Sequence, residues 1–121
     1  MKVEGVLDNY AHKVFRGTID FLSGAANSIG EENENCILLS DNAISRSLPQ
    51  MLCNEESVIG SHGVSSGKVD ADKLFYLMAH GYSKKEAEKL IVLANFSSIV
   101  NNIQNDNIKE TILQLIEEKI S

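Results

Sequence analysis

The chain has 121 residues and a formal net charge of −6, with 43% apolar and 23% charged residues. These values are typical of one soluble globular domain, with or without a small appendage, and they exclude a disordered or fibrous chain. The negative charge argues against nucleic-acid binding, which depends on Lys and Arg, and no segment approaches the ~20 apolar residues of a membrane span.

Residues 1–69 carry the pattern of β-strands. Between Val14 and Phe21, the apolar residues Phe15 and Ile19 alternate with polar ones, which predicts a strand with one buried face. Further strands are predicted at residues 3–7, 36–39, 50–53 and 57–64, and turns at Ser23-Gly24, residues 40–42 and Leu48-Pro49. No tight Asn-Gly or Asp-Gly hairpin turn separates the strands. The pattern is compatible with a stacked-coil sheet of the β-helix type, and a β-sandwich is the alternative.

Two acidic groups interrupt this first half. One consists of Glu31, Glu32 and Glu34, and the other of Glu55 and Glu56. Such groups are typical of solvated loops, and we interpret both in this way. An acidic metal-binding patch is the alternative.

From residue 70 onward the apolar period becomes helical. Asp70 can cap a first helix, Gly81 suits the residue after its end, and Ser83 with Glu86 forms a capping box for a second helix. That helix is expected to continue through Ile103. The apolar stripes of the three predicted helices are Leu74, Leu77 and Met78; Ala87, Leu90, Ile91, Ala94, Ile99, Val100 and Ile103; and Ile108, Ile112, Leu115, Ile116 and Ile120. Strands followed by a small antiparallel helical bundle exclude an alternating α/β sheet.

Four collinear segments resemble motifs of the SufB/SufD family of iron–sulfur cluster assembly proteins. They are VLDNYAHKVFRGTI at residues 6–19, LLSDNA with the following Leu-Pro at 38–49, SHG with a later Gly at 61–67, and the passage with LFYL, Gly and Glu-Ala at 70–87. The resemblance extends over roughly residues 4–103.

The resemblance implies a mostly β, then α, fold: the end of a right-handed parallel β-helix over residues 1–69, followed by a small C-terminal helical bundle over residues 70–121. Family members are several hundred residues long, so the chain corresponds to a C-terminal part. A β-helix cut across its coils exposes unpaired strand edges, and we therefore expect self-association or a partner that covers them.

The same resemblance implies partners and a cofactor. Family subunits pair through the ends of their β-helices, here with a SufB-type subunit or with a second copy, and recruit a SufC-type ABC ATPase through the helical domain. An iron–sulfur cluster would form transiently and be shared with the partner, and none is expected to bind tightly to this chain alone. No catalytic residue is expected.

Metal-linked residues are also implied by the resemblance. His62 matches a Ser-His-Gly position where SufD-type members carry a histidine implicated in cluster formation; a structural histidine is the alternative. Cys53 matches a position where some SufB-type members carry cysteine, although a small buried apolar residue is the alternative. Cys36 is expected in the core. The SufB-type cysteine considered essential aligns nearer Glu34, and its absence favours the SufD type.

Three aromatic residues of the helical part, Phe75, Tyr76 and Tyr82, are candidates for contact with the ATPase, because aromatic anchors dominate interfaces. Core packing is their alternative role. The chain is thus predicted to be a cytoplasmic scaffold subunit with reduced thiols and no enzymatic activity. The alternatives are a truncated paralogue that acts only as an oligomerisation or interaction module, and a small enzyme that uses Cys53 and His62.

Overall fold

The computed structural model describes residues 1–120. Five strands come first and three helices follow, which confirms the predicted order. The elements are β1 Lys2–Leu7, β2 His12–Phe21, β3 Ile29–Leu38, β4 Ile44–Cys53, β5 Ile59–Lys68, α1 Ala71–Ala79, α2 Lys84–Val100 and α3 Asp106–Lys119. The chain divides into two compact units, Met1–Gly67 and a second unit from Lys68 onward.

Consecutive strands alternate between two sheets. β1, β3 and β5 form one sheet in the order β1-β3-β5, and β2 pairs with β4 in the other. β1 pairs with β3 and β2 pairs with β4 in parallel, with Lys2 opposite Asn33 and His12 opposite Ile44. A strand therefore pairs with the strand that lies 31 or 32 residues further along the chain. Parallel pairing through long connections explains why hairpin turns are missing from the sequence.

Strand β2 follows the period of two that its sequence predicts. Gly17 and Phe21 are buried, Phe15 and Ile19 are half-buried, and the polar residues between them are exposed. Alternate side chains of a strand point to opposite faces, so this pattern gives β2 one inward face. The prediction for residues 14–21 is confirmed.

Strand β3 corrects the loop interpretation of the first acidic group. Glu32 and Glu34 lie within this strand and are 1% and 3% exposed, whereas Glu31 is exposed. β3 is the middle strand of its sheet, so residues of its inward face are covered on both sides. Cys36, on the same face, is 1% exposed, which confirms its predicted place in the core. The Glu55–Glu56 group does lie in a loop.

Strand β4 runs through the predicted Leu48-Pro49 turn, and that prediction is wrong. Pro49 lies inside the strand, opposite Gly17 of β2. Proline has no backbone N–H and is accepted on strands that pair on one side only. β4 meets this condition within the described residues, where its sheet has two strands.

The helix boundaries follow the caps read from the sequence. The Asp70 side chain accepts hydrogen bonds from the backbone N–H groups of Asp72 and Lys73. Ser83 and Glu86 form the complete capping box of α2. α2 ends at Val100, however, so the prediction that it continues through Ile103 is wrong. Asn101 caps its C-terminus, and the asparagine at residue 105 caps α3 soon afterwards.

The buried positions of α2 are Ala87, Val92 and Val100. The predicted stripe contains the first and the last of these but omits Val92, and it includes Leu90, which is 38% exposed. α2 packs against both α1 and α3. A helix with two neighbouring helices is buried on more than one side. A single apolar stripe therefore does not include every buried residue of α2.

Candidate functional site

His62 lies on β5, beside β3 in the three-stranded sheet. Its Nδ1 atom is 3.9 Å from Oε2 of Glu32, and its side chain is 23% exposed. The imidazole therefore contacts a buried carboxylate on one side and keeps part of its surface accessible.

Glu32 is the residue that sequence reasoning missed. Its side chain is 2% exposed, and neither carboxylate oxygen has a hydrogen-bond partner among the described residues. Gly17 of β2 faces it, and a Cβ atom added to Gly17 would overlap the carboxylate. The sequence contained one indication of this position. Glu32, Glu34 and Cys36 are spaced two residues apart, which predicts that all three lie on one face of a strand.

Glu34 pairs with Lys13 of β2 through a hydrogen-bonded ion pair. The Glu34 side chain is 1% exposed and that of Lys13 is 21% exposed. Burial by itself raises the pKa of Glu34, but the hydrogen bond and the positive charge of Lys13 help to outweigh it, and the pKa lies below its ordinary value. Glu34 is therefore an ionised group inside the strand unit.

Cys36 continues the inward row of β3 beside Gly5 of β1. A Cβ atom at Gly5 would lie 3.3 Å from the Cys36 Sγ atom and 3.6 Å from the Lys13 Nζ atom. Two carboxylates and a thiol thus line one buried face, with an ammonium group and an imidazole next to the carboxylates. Imidazole and carboxylate are ligand types that bind divalent iron and related metals.

Cys53 lies apart from this row. It lies at the end of β4, in the sheet that does not contain His62. Its side chain is exposed, which excludes the alternative that Cys53 is a small buried apolar residue. It lines an open cavity of about 630 Å³ together with Glu55 and Glu56. Hydrogen bonds from the backbone N–H groups of Gly24 and Glu56 lower the pKa of Glu55, so that carboxylate stabilises the loop. Across residues 1–120, no group of three or more His, Cys, Asp or Glu side chains is arranged to hold a metal ion.

The three aromatic candidates of the helical unit are exposed. Phe75 is 75%, Tyr76 61% and Tyr82 45% accessible, which excludes core packing as their role in this chain. Tyr76 also lines a groove of about 480 Å³ between α1 and α2, whose walls include Leu77 and Ile91. An apolar groove beside exposed aromatic rings is suited to burial by another protein.

Comparison with known proteins identifies the family. The family model described as "SUF system FeS cluster assembly, SufBD core domain" matches residues 1–95. The chain belongs to the SufB/SufD family. It is 31% identical over 116 residues to the iron–sulfur cluster assembly protein SufD of Bacillus subtilis, covering 96% of the chain and 26% of that relative. It is 24% identical over 115 residues to SufD of Escherichia coli, covering 95% of the chain and 27% of that relative.

A third relative is the SufBD family protein of Pyrococcus horikoshii, which is 30% identical over 108 residues, or 89% of the chain and 24% of the relative. The chain thus spans about a quarter of the length of these curated SufB/SufD proteins. The SufD names confirm the SufD-type resemblance seen in the sequence, and they describe assembly proteins. Within residues 1–120, no helix has the length and apolar character needed to cross a membrane.

Proposed function

We propose that this SufB/SufD family member is a cytoplasmic scaffold and partner subunit of the SUF iron–sulfur cluster assembly machinery, and that it does not act as an enzyme. The observation that carries the proposal is the match of residues 1–95 to the SufBD core domain, together with relatives named as assembly proteins. In this proposal residues 1–69 form the β part and residues 70–121 the helical domain.

The β part is proposed to be the end of a right-handed parallel β-helix. Two features support this architecture: consecutive strands alternate between two sheets, and the parallel pairs β1–β3 and β2–β4 join residues 31 or 32 positions apart. In a β-helix, successive coils stack in this way and share a buried interior. This β part is proposed to pair with a SufB-type subunit or with a second copy of the chain, because the edge of a sheet can pair with a strand of another chain.

The helical domain is proposed to dock a SufC-type ABC ATPase. Phe75 and Tyr82 are exposed aromatic side chains, and Tyr76 stands at the rim of the groove between α1 and α2. Aromatic residues supply much of the binding energy of protein interfaces when a partner covers them. Phe75 and Tyr76 lie on α1, and Tyr82 lies in the short connection between α1 and α2.

The cluster is proposed to be substrate held transiently between two subunits. His62 would contribute imidazole nitrogen, because its side chain is partly accessible on β5. The exposed thiol of Cys53 would contribute separately, at the end of β4. The other ligands would come from the SufB-type subunit.

Co-expression tests this function directly. The full chain is expressed with a SufB-type subunit and a SufC-type ATPase, and affinity purification of the chain is expected to recover both. An unrelated ABC ATPase in place of the SufC-type protein is the specificity control. If neither partner is recovered, the docking function is wrong. If both are recovered but the chain leaves cluster formation by the complex unchanged, it is an interaction module without a role in the chemistry.

A further inference from the structure

We propose that Glu32 is a positioning residue for His62: its buried carboxylate accepts the Nδ1–H of the imidazole, which leaves Nε2 unprotonated and free to bind a metal ion. The inference rests on the proposed role of His62 in cluster assembly and adds a residue of this chain that prepares His62 for it. Three strands contribute to the arrangement, with Gly17 on β2, Glu32 on β3 and His62 on β5.

The geometry selects which ring nitrogen faces the carboxylate. Nδ1 of His62 is the atom 3.9 Å from Glu32 Oε2. This separation exceeds a hydrogen-bond length of about 2.7–3.2 Å, but side-chain hydrogen bonds of functional histidines often shorten only when their ligand binds. The Glu32 side chain is almost fully enclosed, whereas the imidazole is 23% exposed.

The energetics of burial point in the same direction. Both oxygens of Glu32 lack a hydrogen-bond partner among the described residues, and a buried carboxylate without partners is strongly destabilising. Lys13 is already engaged by Glu34. His62, with Nδ1 3.9 Å from Oε2, is placed to satisfy Glu32. Because a carboxylate oxygen accepts hydrogen bonds, it pairs with the imidazole form that carries its proton on Nδ1.

Gly17 is an independent sign that the interior accommodates this carboxylate. A Cβ atom at that position would occupy the volume in which the Glu32 carboxylate lies. The chain thus has no side chain at a β2 position that closely approaches Glu32. Metal-binding histidines commonly donate their second N–H to a carboxylate, which fixes the tautomer and the orientation of the ring, and loss of that partner weakens metal binding about 10- to 100-fold.

The tautomer of His62 tests the inference without any variant. The full chain is labelled with ¹⁵N-histidine, and long-range ¹H–¹⁵N correlation spectra are recorded at alkaline pH, where the ring is neutral. The His62 signals are assigned by their loss in His62→Gln, and the exposed His12 serves as the internal reference. We expect His62 to carry its proton on Nδ1. A His62 ring protonated on Nε2, the form that neutral histidine favours in water, would overturn the inference.

A matched pair of variants extends the test. Glu32→Leu removes the acceptor and is expected to move the His62 proton to Nε2, whereas Glu31→Gln, at the exposed neighbouring position, is expected to leave it on Nδ1. An unchanged tautomer in a folded Glu32→Leu chain would contradict the proposal. If that variant does not fold, the wild-type tautomer decides alone.

The two levels of the proposal fail separately. A proton on Nδ1 together with normal cluster yield in His62→Ala would contradict the assembly role but leave the Glu32–His62 pairing intact. A proton on Nε2 together with reduced yield in His62→Ala would keep the assembly role and reject Glu32 as its positioning residue.

Discussion

The Lys13 ammonium on β2 and the Glu34 carboxylate on β3 form an ion pair that joins the two sheets inside the strand unit. The Glu34 side chain is 1% exposed, so the pair is far less screened by solvent than a surface pair. A charge in this position depends on its partner, since its own hydration is lost on folding.

Removal of one partner is therefore expected to be costly. Lys13→Met leaves the Glu34 charge buried and unpaired and should lower the free energy of unfolding by about 3–5 kcal/mol. The double change Lys13→Met with Glu34→Met should recover most of that loss. Denaturant unfolding of the full chain measures both. Lys84→Ala, which breaks the surface pair with Glu88, is the control and should cost less than about 1 kcal/mol. A loss in Lys13→Met as small as in this control would show that the pair contributes little.

The pH dependence of stability should also reflect Glu34. Its pKa in the folded chain lies below the ordinary value of 4.5, so the folded state holds this proton less tightly than the unfolded state. The corresponding stabilisation of the folded chain is present above pH 4.5. It is lost as the pH falls through the lowered pKa of Glu34 in the folded chain. Thermal unfolding from neutral to acidic pH should show a steeper loss in the wild-type chain than in the Lys13→Met, Glu34→Met double variant. Parallel profiles would contradict this assignment.

Gly17 should not tolerate a methyl group. In Gly17→Ala the new Cβ overlaps the Glu32 carboxylate, which is enclosed and has little room to move, so we expect a loss of about 1–3 kcal/mol. Gly67→Ala is the matched control, because nothing lies within 4 Å of a Cβ at that strand position. The cost of Gly17→Ala should shrink in a Glu32→Ala background, as measured by a double-mutant cycle of unfolding free energies. Equal effects at Gly17 and Gly67 would be inconsistent with the tight approach.

The exposed aromatic residues should matter for binding but not for folding. Phe75→Ala with Tyr82→Ala is expected to change the unfolding free energy by no more than about 0.5 kcal/mol per site, because both side chains are exposed. Recovery of the SufC-type ATPase should fall at least tenfold, while recovery of the SufB-type subunit stays the same. Ile108→Ala is the control, at an apolar position on α3 whose exposure of 51% lies between those of Phe75 and Tyr82. Unchanged recovery of the ATPase would place its docking surface elsewhere.

Local signals in the sequence predicted most of the fold. The alternation of Phe15, Ile19 and Phe21 predicted β2, and the caps at Asp70 and Ser83 predicted where α1 and α2 begin. These features depend on neighbouring residues alone, so the sequence displays them directly.

The interior of the strand unit could not be predicted in the same way. Charge suggests that Glu32 and Glu34 are solvated, but both are buried in the middle strand of a sheet, where Gly17 and Lys13 of β2 lie against their carboxylates. Pro49 suggests a turn in the sequence. It lies instead within β4, which tolerates a proline because it pairs with one neighbouring strand in the described sheet. Both errors arise because burial and strand pairing depend on other strands: β4 pairs with a strand about thirty positions away along the chain, and β2 of the other sheet covers the carboxylates of β3.

Anaerobic iron–sulfide reconstitution of the full chain with a SufB-type subunit tests the central claim most directly. The yield of bound cluster is compared between the wild-type chain and His62→Ala, with His12→Ala as the matched control, and folding is verified for each. The account predicts a clear loss of cluster in His62→Ala and none in His12→Ala. An unchanged yield in His62→Ala would contradict it.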